Sequence, residues 1–86
     1  MSNVWLLPPD LDAVPAAEPD DHLVRVAGGD AHIGVVTPAG PEWLGAVPAS
    51  ALGSLPAVTQ GPTALDDEAA LIAVRGAATA LAARGG

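Results

Sequence analysis

Apolar residues alternate with polar or small ones between residues 22 and 36, and a glycine pair interrupts the alternation once. The apolar members of this pattern are Val24, Val26, Ile33 and Val35. A period of two is typical of a strand with one buried face, and glycines permit the positive φ angles of a tight turn. We therefore predict a β-hairpin with a two-residue turn at Gly28-Gly29 or Gly29-Asp30. Either turn places the four apolar residues on one face and Arg25 and His32 on the other.

Two further extended segments flank the hairpin. Thr37 to Pro41 has the composition of a turn, and Trp43 to Val47 then predicts a third strand that a proline ends. Near the start of the chain, Val4 to Leu7 is a short apolar run that stops at two prolines, so we expect a brief edge strand or hook. Residues 49 to 61 are compatible with one helical turn before Gly53 and otherwise predict irregular structure.

The last part of the chain has the period of a helix. Its apolar residues are spaced three, four and three apart and form one stripe for the core: Leu71, Val74, Ala78 and Leu81. Thr63 or Asp66 is suited to cap the start of this helix, and Arg84 with Gly85 marks its end. The helix also carries three small residues that would let another backbone approach closely: Gly76, Ala77 and Ala80.

Together these elements predict a small two-layer α+β domain. An antiparallel β-meander of three to four short strands is expected to be covered by one C-terminal amphipathic helix, the only element long enough to cover the apolar sheet face. Residues 1–21 are expected to form the short strand and an extended, acidic, proline-rich connector. Residues 22–86 are expected to form the single domain.

The composition predicts a thin core and an acidic surface. Nineteen of the hydrophobic residues are alanine, and the chain has two tryptophans but no phenylalanine or tyrosine. Ten acidic residues stand against three arginines, for a formal net charge of −7. This charge disfavours nucleic acid and an anionic membrane surface as partners. A core with so little apolar bulk is expected to gain stability from another protein or from itself, as a hetero-complex or a dimer.

Little in the sequence favours catalysis or metal binding. The chain has no cysteine, which excludes disulfides and thiolate chemistry. The predicted hairpin places His22 and His32 on opposite sheet faces and about 10 Å apart along the strands, so one metal ion cannot bind both. Ser50 and Ser54 stand in no nucleophile motif, and the carboxylates crowd the connector and the helix start, where water solvates them. We expect no catalytic residue, no cofactor and no metal.

The predicted sheet face away from the helix is the candidate binding surface. It carries a mixed set of side chains: Leu23, Arg25, His32 and Val36. On the third strand, Trp43 is the strongest candidate anchor for a partner, because tryptophan is enriched among the residues that dominate interface energies. A core position for Trp43 beneath the helix is nevertheless the interpretation that we favour, because large side chains for the core are scarce.

These observations favour a non-enzymatic protein–protein interaction module. We expect an accessory subunit, assembly factor or adaptor of a bacterial complex, because abundant alanine, glycine and proline without lysine is typical of GC-rich coding. A cytoplasmic location is expected, since Met1 to Leu7 lacks the basic start and long apolar run of an export signal.

Two alternative functions stay open. An acidic immunity protein or antitoxin would neutralise a basic partner through charge complementarity. The chain also resembles ubiquitin-like and sulfur-carrier proteins in its length, its acidic charge and its Gly85-Gly86 ending. That resemblance implies a terminal carboxylate that an activating enzyme adenylates, although here the dipeptide follows a predicted helix rather than a strand.

Overall fold

The computed structural model describes residues 3–11, 14–15, 17–53, 55 and 62–85. It has two layers, a five-stranded mixed sheet and a helix packed on one sheet face, which confirms the predicted α+β class and the C-terminal helix. The strands are β1 (Val4–Leu7), β2 (His22–Ala27), β3 (Asp30–Thr37), β4 (Gly40–Pro48) and β5 (Thr63–Leu65), and the helix is α1 (Glu68–Gly85).

The strand order in the sheet is β4-β3-β2-β1-β5. Strands β2, β3 and β4 form the predicted antiparallel meander, but β1 pairs in parallel with β2, and β5 pairs antiparallel with β1. The predictions of a pure meander of three to four strands and of an edge position for β1 are therefore wrong. Both partners of β1 lie far from it in the sequence, and residues 8–21 supply the crossover that a parallel pair requires.

The β2–β3 hairpin has the predicted register. Its two-residue turn is Gly28-Gly29, with φ angles of 61° and 84°. Val24 lies opposite Ile33, and Arg25 lies opposite His32. The apolar face and the mixed face of the hairpin are therefore divided as the alternation predicts.

Strand β4 is longer than predicted and contains a β-bulge. It begins at Gly40, after a Pro38-Ala39 turn, rather than at Trp43. Leu44 is the extra residue of the bulge, opposite the step between Ile33 and Gly34 of β3. A 3-10 turn (Ala49–Leu52) follows the strand, where one helical turn was expected. The irregular structure expected for the rest of residues 49–61 lies almost entirely outside the described residues.

The close contact between sheet and helix depends on a glycine of the sheet. A Cβ built on Gly45 would lie 3.0 Å from a methyl carbon of Leu81, and the φ angle of Gly45 is 155°. The helix residues expected to allow such an approach behave differently: Ala77 packs against the core, whereas Gly76 and Ala80 are exposed. No atom lies within 4 Å of a Cβ built on Gly76, apart from its chain neighbours and the backbone of its own helix.

Helix α1 begins at Glu68, directly after its capping residue Asp67. The Asp67 carboxylate accepts a hydrogen bond from the Ala70 backbone N–H at 3.2 Å, which satisfies a donor that the first turn leaves unpaired. The predicted caps were Thr63 and Asp66, but Thr63 belongs to β5. The predicted stripe faces the sheet: Val74, Ala78 and Leu81 are buried and Leu71 is half-buried.

The core between sheet and helix is built from aliphatic side chains, as the composition predicts. Its buried members are Val4, Leu6, Val24, Ala31, Ile33, Leu52, Leu65, Ala70, Val74, Ala78 and Leu81. Both tryptophans are half-buried and lie outside this cluster. The two aromatic rings of the chain therefore contribute to its surface, where they can contact a partner.

Candidate functional site

The residues predicted to contact a partner lie on the sheet face opposite α1, which we call the back face. Successive residues of a strand point to opposite sides of a sheet, and Val24 and Ile33 point into the core beneath α1. The pairing register then places the following residues on the back face: Leu23, Arg25, His32, Val36 and Trp43. Trp43 is not part of the core cluster, so a core position for it does not hold, although the residue also borders the groove beside α1 that is described below.

The indole of Trp43 lies across Gly34. A Cβ built on Gly34 would come within 2.9 Å of the indole Cε3 and 3.1 Å of the Glu42 carbonyl oxygen. The Arg25 guanidinium lies over the same indole, with its Cζ 5.1 Å from the ring centroid, within the range of a cation–π interaction. Glycine at position 34 therefore gives the ring room to lie on the sheet, and Arg25 holds it there.

Arg25 also joins the back face to the connector. Its Nη1 donates a hydrogen bond to the Leu11 carbonyl oxygen at 3.4 Å. Its Nε is buried and has no hydrogen-bond partner among the described residues. A buried donor without a partner costs about 1–3 kcal/mol of stability. The position of Arg25 that supports Trp43 therefore carries a cost in folding free energy.

Described residues of the connector, which spans residues 8–21, lie over the part of the back face formed by β1 and β2 and accept hydrogen bonds from Trp5 and Arg25 there. Leu7 and Leu23 point to this face and are only 2% and 0% exposed, although α1 packs on the other side of the sheet. In the connector, Pro8 is buried and Leu11 is half-buried. Leu23 is therefore buried and cannot contact a partner directly, so the prediction that it belongs to the binding surface is wrong.

The part of the back face over β3 and β4 has no such cover. Trp43, His32 and Val36 are half-buried there, and Ala46, which pairs with His32, is exposed. No element among the described residues packs over this area, which we call the open patch. It presents an indole, an imidazole and aliphatic carbon at the surface.

Asp21 fastens the end of the connector to β1. The carboxylate is 2% exposed and accepts hydrogen bonds from the Trp5 indole at 3.0 Å and from the backbone N–H groups of Asn3 at 2.8 Å and Glu18 at 2.9 Å. Burial alone would raise the pKa of Asp21, but the three hydrogen bonds and the nearby His22 lower it below the ordinary value of 3.8. The expectation that water solvates the connector carboxylates is wrong for this residue.

A groove on the other side of the sheet lies between α1 and strands β2 to β4. It has a volume of about 690 Å³. Its lining residues are His22, Val35, Glu42, Trp43, Leu44, Ala78, Thr79, Leu81 and Ala82. This groove was not predicted, because His22 was considered only as a possible metal ligand. Its position two residues before Val24 was the available signal, because it puts His22 on the face that α1 covers.

The environment of His22 keeps its imidazole neutral near pH 7. The Nδ1 atom is buried and has no hydrogen-bond partner among the described residues. Burial, and then the positive charge of Arg75, lower the pKa of His22, whereas Asp21 and Asp20 oppose the shift. His22 and His32 lie on opposite sheet faces and three residue pairs apart, as predicted.

The part of the chain that the structure describes contains no group of three or more histidine, aspartate or glutamate side chains that could hold a metal ion. None of its helices is both long and apolar enough to cross a lipid bilayer. Gly85 is the last residue of α1 and Gly86 lies outside the described residues, so the carrier alternative stays a prediction. No protein-family model, curated protein or solved structure matches this chain.

Proposed function

We propose that this chain is a non-enzymatic protein–protein interaction module that binds its partner through the open patch. The observation that carries the proposal is the half-buried Trp43 indole on a sheet face that no described element covers. Its contacts with Gly34 and Arg25 fix the ring before any partner arrives. A side chain that is already ordered loses little conformational entropy on binding, which favours affinity.

The chemistry around Trp43 is that of an interface centre. Tryptophan and arginine are the residue types most enriched among those that dominate binding energies, and both occur in contact here. Val36 and Ala46 add aliphatic surface beside the ring, whereas the carboxylates that give the chain its charge lie mostly in the connector and around the start of α1. The proposed partner therefore presents an apolar side chain to Trp43 rather than a basic surface to an acidic one.

The biological setting is part of the same proposal. An accessory subunit, assembly factor or adaptor of a bacterial complex in the cytoplasm would need a small chain with a binding face and no chemistry of its own. The abundant alanine, glycine and proline, which are typical of GC-rich coding, support a bacterial source.

Two matched substitutions test the proposed function. In His32→Glu, a charge enters the open patch, whereas in Ser50→Glu the same charge enters an exposed position of the 3-10 turn, whose Leu52 lies on the α1 side of the sheet. Each tagged variant is purified from the host cell, and copurifying proteins are quantified by mass spectrometry. We expect a stoichiometric partner with the wild type and with Ser50→Glu, and at least a tenfold loss with His32→Glu.

The salt dependence of that complex separates docking at Trp43 from charge neutralisation. Binding through the open patch should survive 0.5 M salt, because apolar burial is not screened. A complex that dissociates steeply with salt, or one that His32→Glu leaves intact while its fold is unchanged by circular dichroism, would refute the proposed docking mode.

A further inference from the structure

The groove between α1 and the sheet owes its space to short side chains on the helix. Three of the four α1 residues that line it are Ala78, Thr79 and Ala82. Its volume of about 690 Å³ lies within the range of roughly 300–1,000 Å³ that is typical of small-molecule sites. A small molecule, rather than a macromolecular surface, is therefore the occupant that matches its size.

The sheet wall of the groove is a row of three residues on three neighbouring strands. His22 of β2 lies opposite Val35 of β3, and Val35 lies opposite Glu42 of β4. Residues that lie opposite each other point to the same side of a sheet, so all three face α1. Because neighbouring strands are about 4.8 Å apart, the backbones of His22 and Glu42 are about 10 Å apart at the two ends of the row.

The two ends of this row differ in charge. Glu42 is exposed and is the one carboxylate among the lining residues that the structure describes, which include no lysine or arginine. His22, at the other end, is neutral near pH 7. Arg75 acts on its pKa more strongly than Asp21 or Asp20 does. The negative charge of the groove is therefore concentrated at Glu42, and a cation is drawn to that end of the row.

Between its two ends the groove is lined by aliphatic side chains. Val35 is half-buried at the centre of the row, and Leu81 is buried on the facing helix. Leu44, the extra residue of the β-bulge, is half-buried and also lines the groove. Apolar walls with one charged group at the end favour a ligand that has an apolar body and one charged end of opposite sign.

We propose that the groove binds a small aliphatic primary amine, with its ammonium group paired to Glu42 and its carbon chain over Val35 and Leu81. The net charge of −7 favours this class of ligand, because an acidic molecule raises the concentration of cations near its surface and lowers that of anions. An alcohol of the same length would contact the same walls without the ion pair. A carboxylate of the same length would be repelled by Glu42.

Three probes of equal chain length test the class of ligand at pH 7: pentylamine, pentanol and pentanoate. Binding to the full chain is followed by two-dimensional NMR through the backbone amide shifts of the groove residues. We expect pentylamine to shift the amides of Val35, Glu42 and Leu81 saturably, with at least fivefold higher affinity than pentanol, and pentanoate to cause no saturable shift. Equal affinities for pentylamine and pentanol, or no saturable shift with pentylamine, would overturn the proposal.

Two matched pairs of variants test the position of the ligand. Glu42→Gln removes a charge from the groove, and Glu68→Gln removes the same charge from an exposed position at the start of α1, outside the lining. Ala82→Leu fills part of the groove, and Ala83→Leu adds the same bulk to the next residue, which is exposed and does not line it.

We expect Glu42→Gln and Ala82→Leu each to weaken pentylamine binding at least fivefold, and the two control variants to bind it as the wild type does. Pentylamine binding that Glu42→Gln leaves at the wild-type level would overturn the proposal, even if Ala82→Leu failed to fold.

These measurements are separate from the test of the proposed function. The groove lies on the α1 side of the sheet, whereas His32, which is substituted to test the open patch, points to the back face. Trp43 borders both surfaces and is left unchanged in the groove variants. The amine probes need no partner protein, so failure of amine binding and failure of partner binding are distinguishable.

Discussion

The buried carboxylate of Asp21 holds in place a connector whose described residues form neither helix nor strand. The chain crosses from β1 to β2 through the connector, and the Asp21 carboxylate ties the last residues of that crossover to the start of β1 through the Asn3 and Glu18 N–H groups and the Trp5 indole. Three donors converge on an acceptor with two oxygen atoms. An amide at this position would offer one oxygen and direct its own N–H bonds at the remaining donors.

We therefore predict that Asp21→Asn lowers the free energy of unfolding by about 1–3 kcal/mol, the cost of leaving a buried polar group unsatisfied. Asp20→Asn is the matched control, because Asp20 is exposed and asparagine tolerates its φ angle of 77°. Urea denaturation of both variants at pH 7 measures the difference. Equal stability of the two variants would show that the hydrogen bonds of Asp21 contribute nothing.

His22 makes a separate prediction about pH. Its pKa in the folded protein lies below the ordinary value of 6.5, chiefly through burial, so the folded state binds the proton less readily than the unfolded state. The stabilisation is complete above pH 6.5 and is lost as the pH falls through the lowered pKa. We predict that the wild type loses stability as the pH falls below 6.5, and that His22→Gln has a smaller slope there. Parallel slopes in urea denaturation would contradict the assignment.

At the scale of elements, substitution by alanine is expected to have opposite effects on stability at two glycines, Gly34 and Gly76. Alanine at Gly34 would put its Cβ 2.9 Å from the Trp43 ring, so the indole must move off β3 and away from Arg25. We predict that Gly34→Ala costs about 1–3 kcal/mol and changes the near-ultraviolet circular dichroism of the indole.

Alanine at Gly76 meets no atom nearby, and we predict that Gly76→Ala stabilises the dilute protein by about 1 kcal/mol, because alanine favours the helix. Thermal and urea unfolding of Gly34→Ala and Gly76→Ala would show these opposite signs. A stabilising Gly34→Ala would mean that the indole does not lie across β3.

The elements that the sequence predicts well are those with local signals. The β2–β3 hairpin is specified by its alternation and its glycine pair, and α1 by the spacing of its buried residues. Strands β1 and β5 are different, because they are short and pair with each other across more than half of the chain. The residues of Val4–Leu7 do not indicate which strand they pair with. In sequence, a crossover without a helix looks the same as a loose connector.

At the scale of the whole molecule, the candidate site could be predicted in part. Alternation within β2 and β3 correctly grouped Arg25, His32 and Val36 on one face. The position of Trp43 on that face could not be deduced, because the bulge at Leu44 changes which residues of β4 face α1. The cover that the connector gives to Leu23 was missed as well, since it depends on the long-range contacts of Asp21 and Arg25.

The most direct test of the central claim is site-specific photo-crosslinking in the host cell. A photoreactive amino acid replaces His32 in the open patch in one variant and Ser50 in the other. The proposed function predicts one discrete, heavier adduct from position 32, which disappears when Trp43→Ala is added, and no equivalent adduct from position 50. Adducts of the same size and yield from both positions, or an adduct at position 32 that persists without the indole, would contradict docking through Trp43.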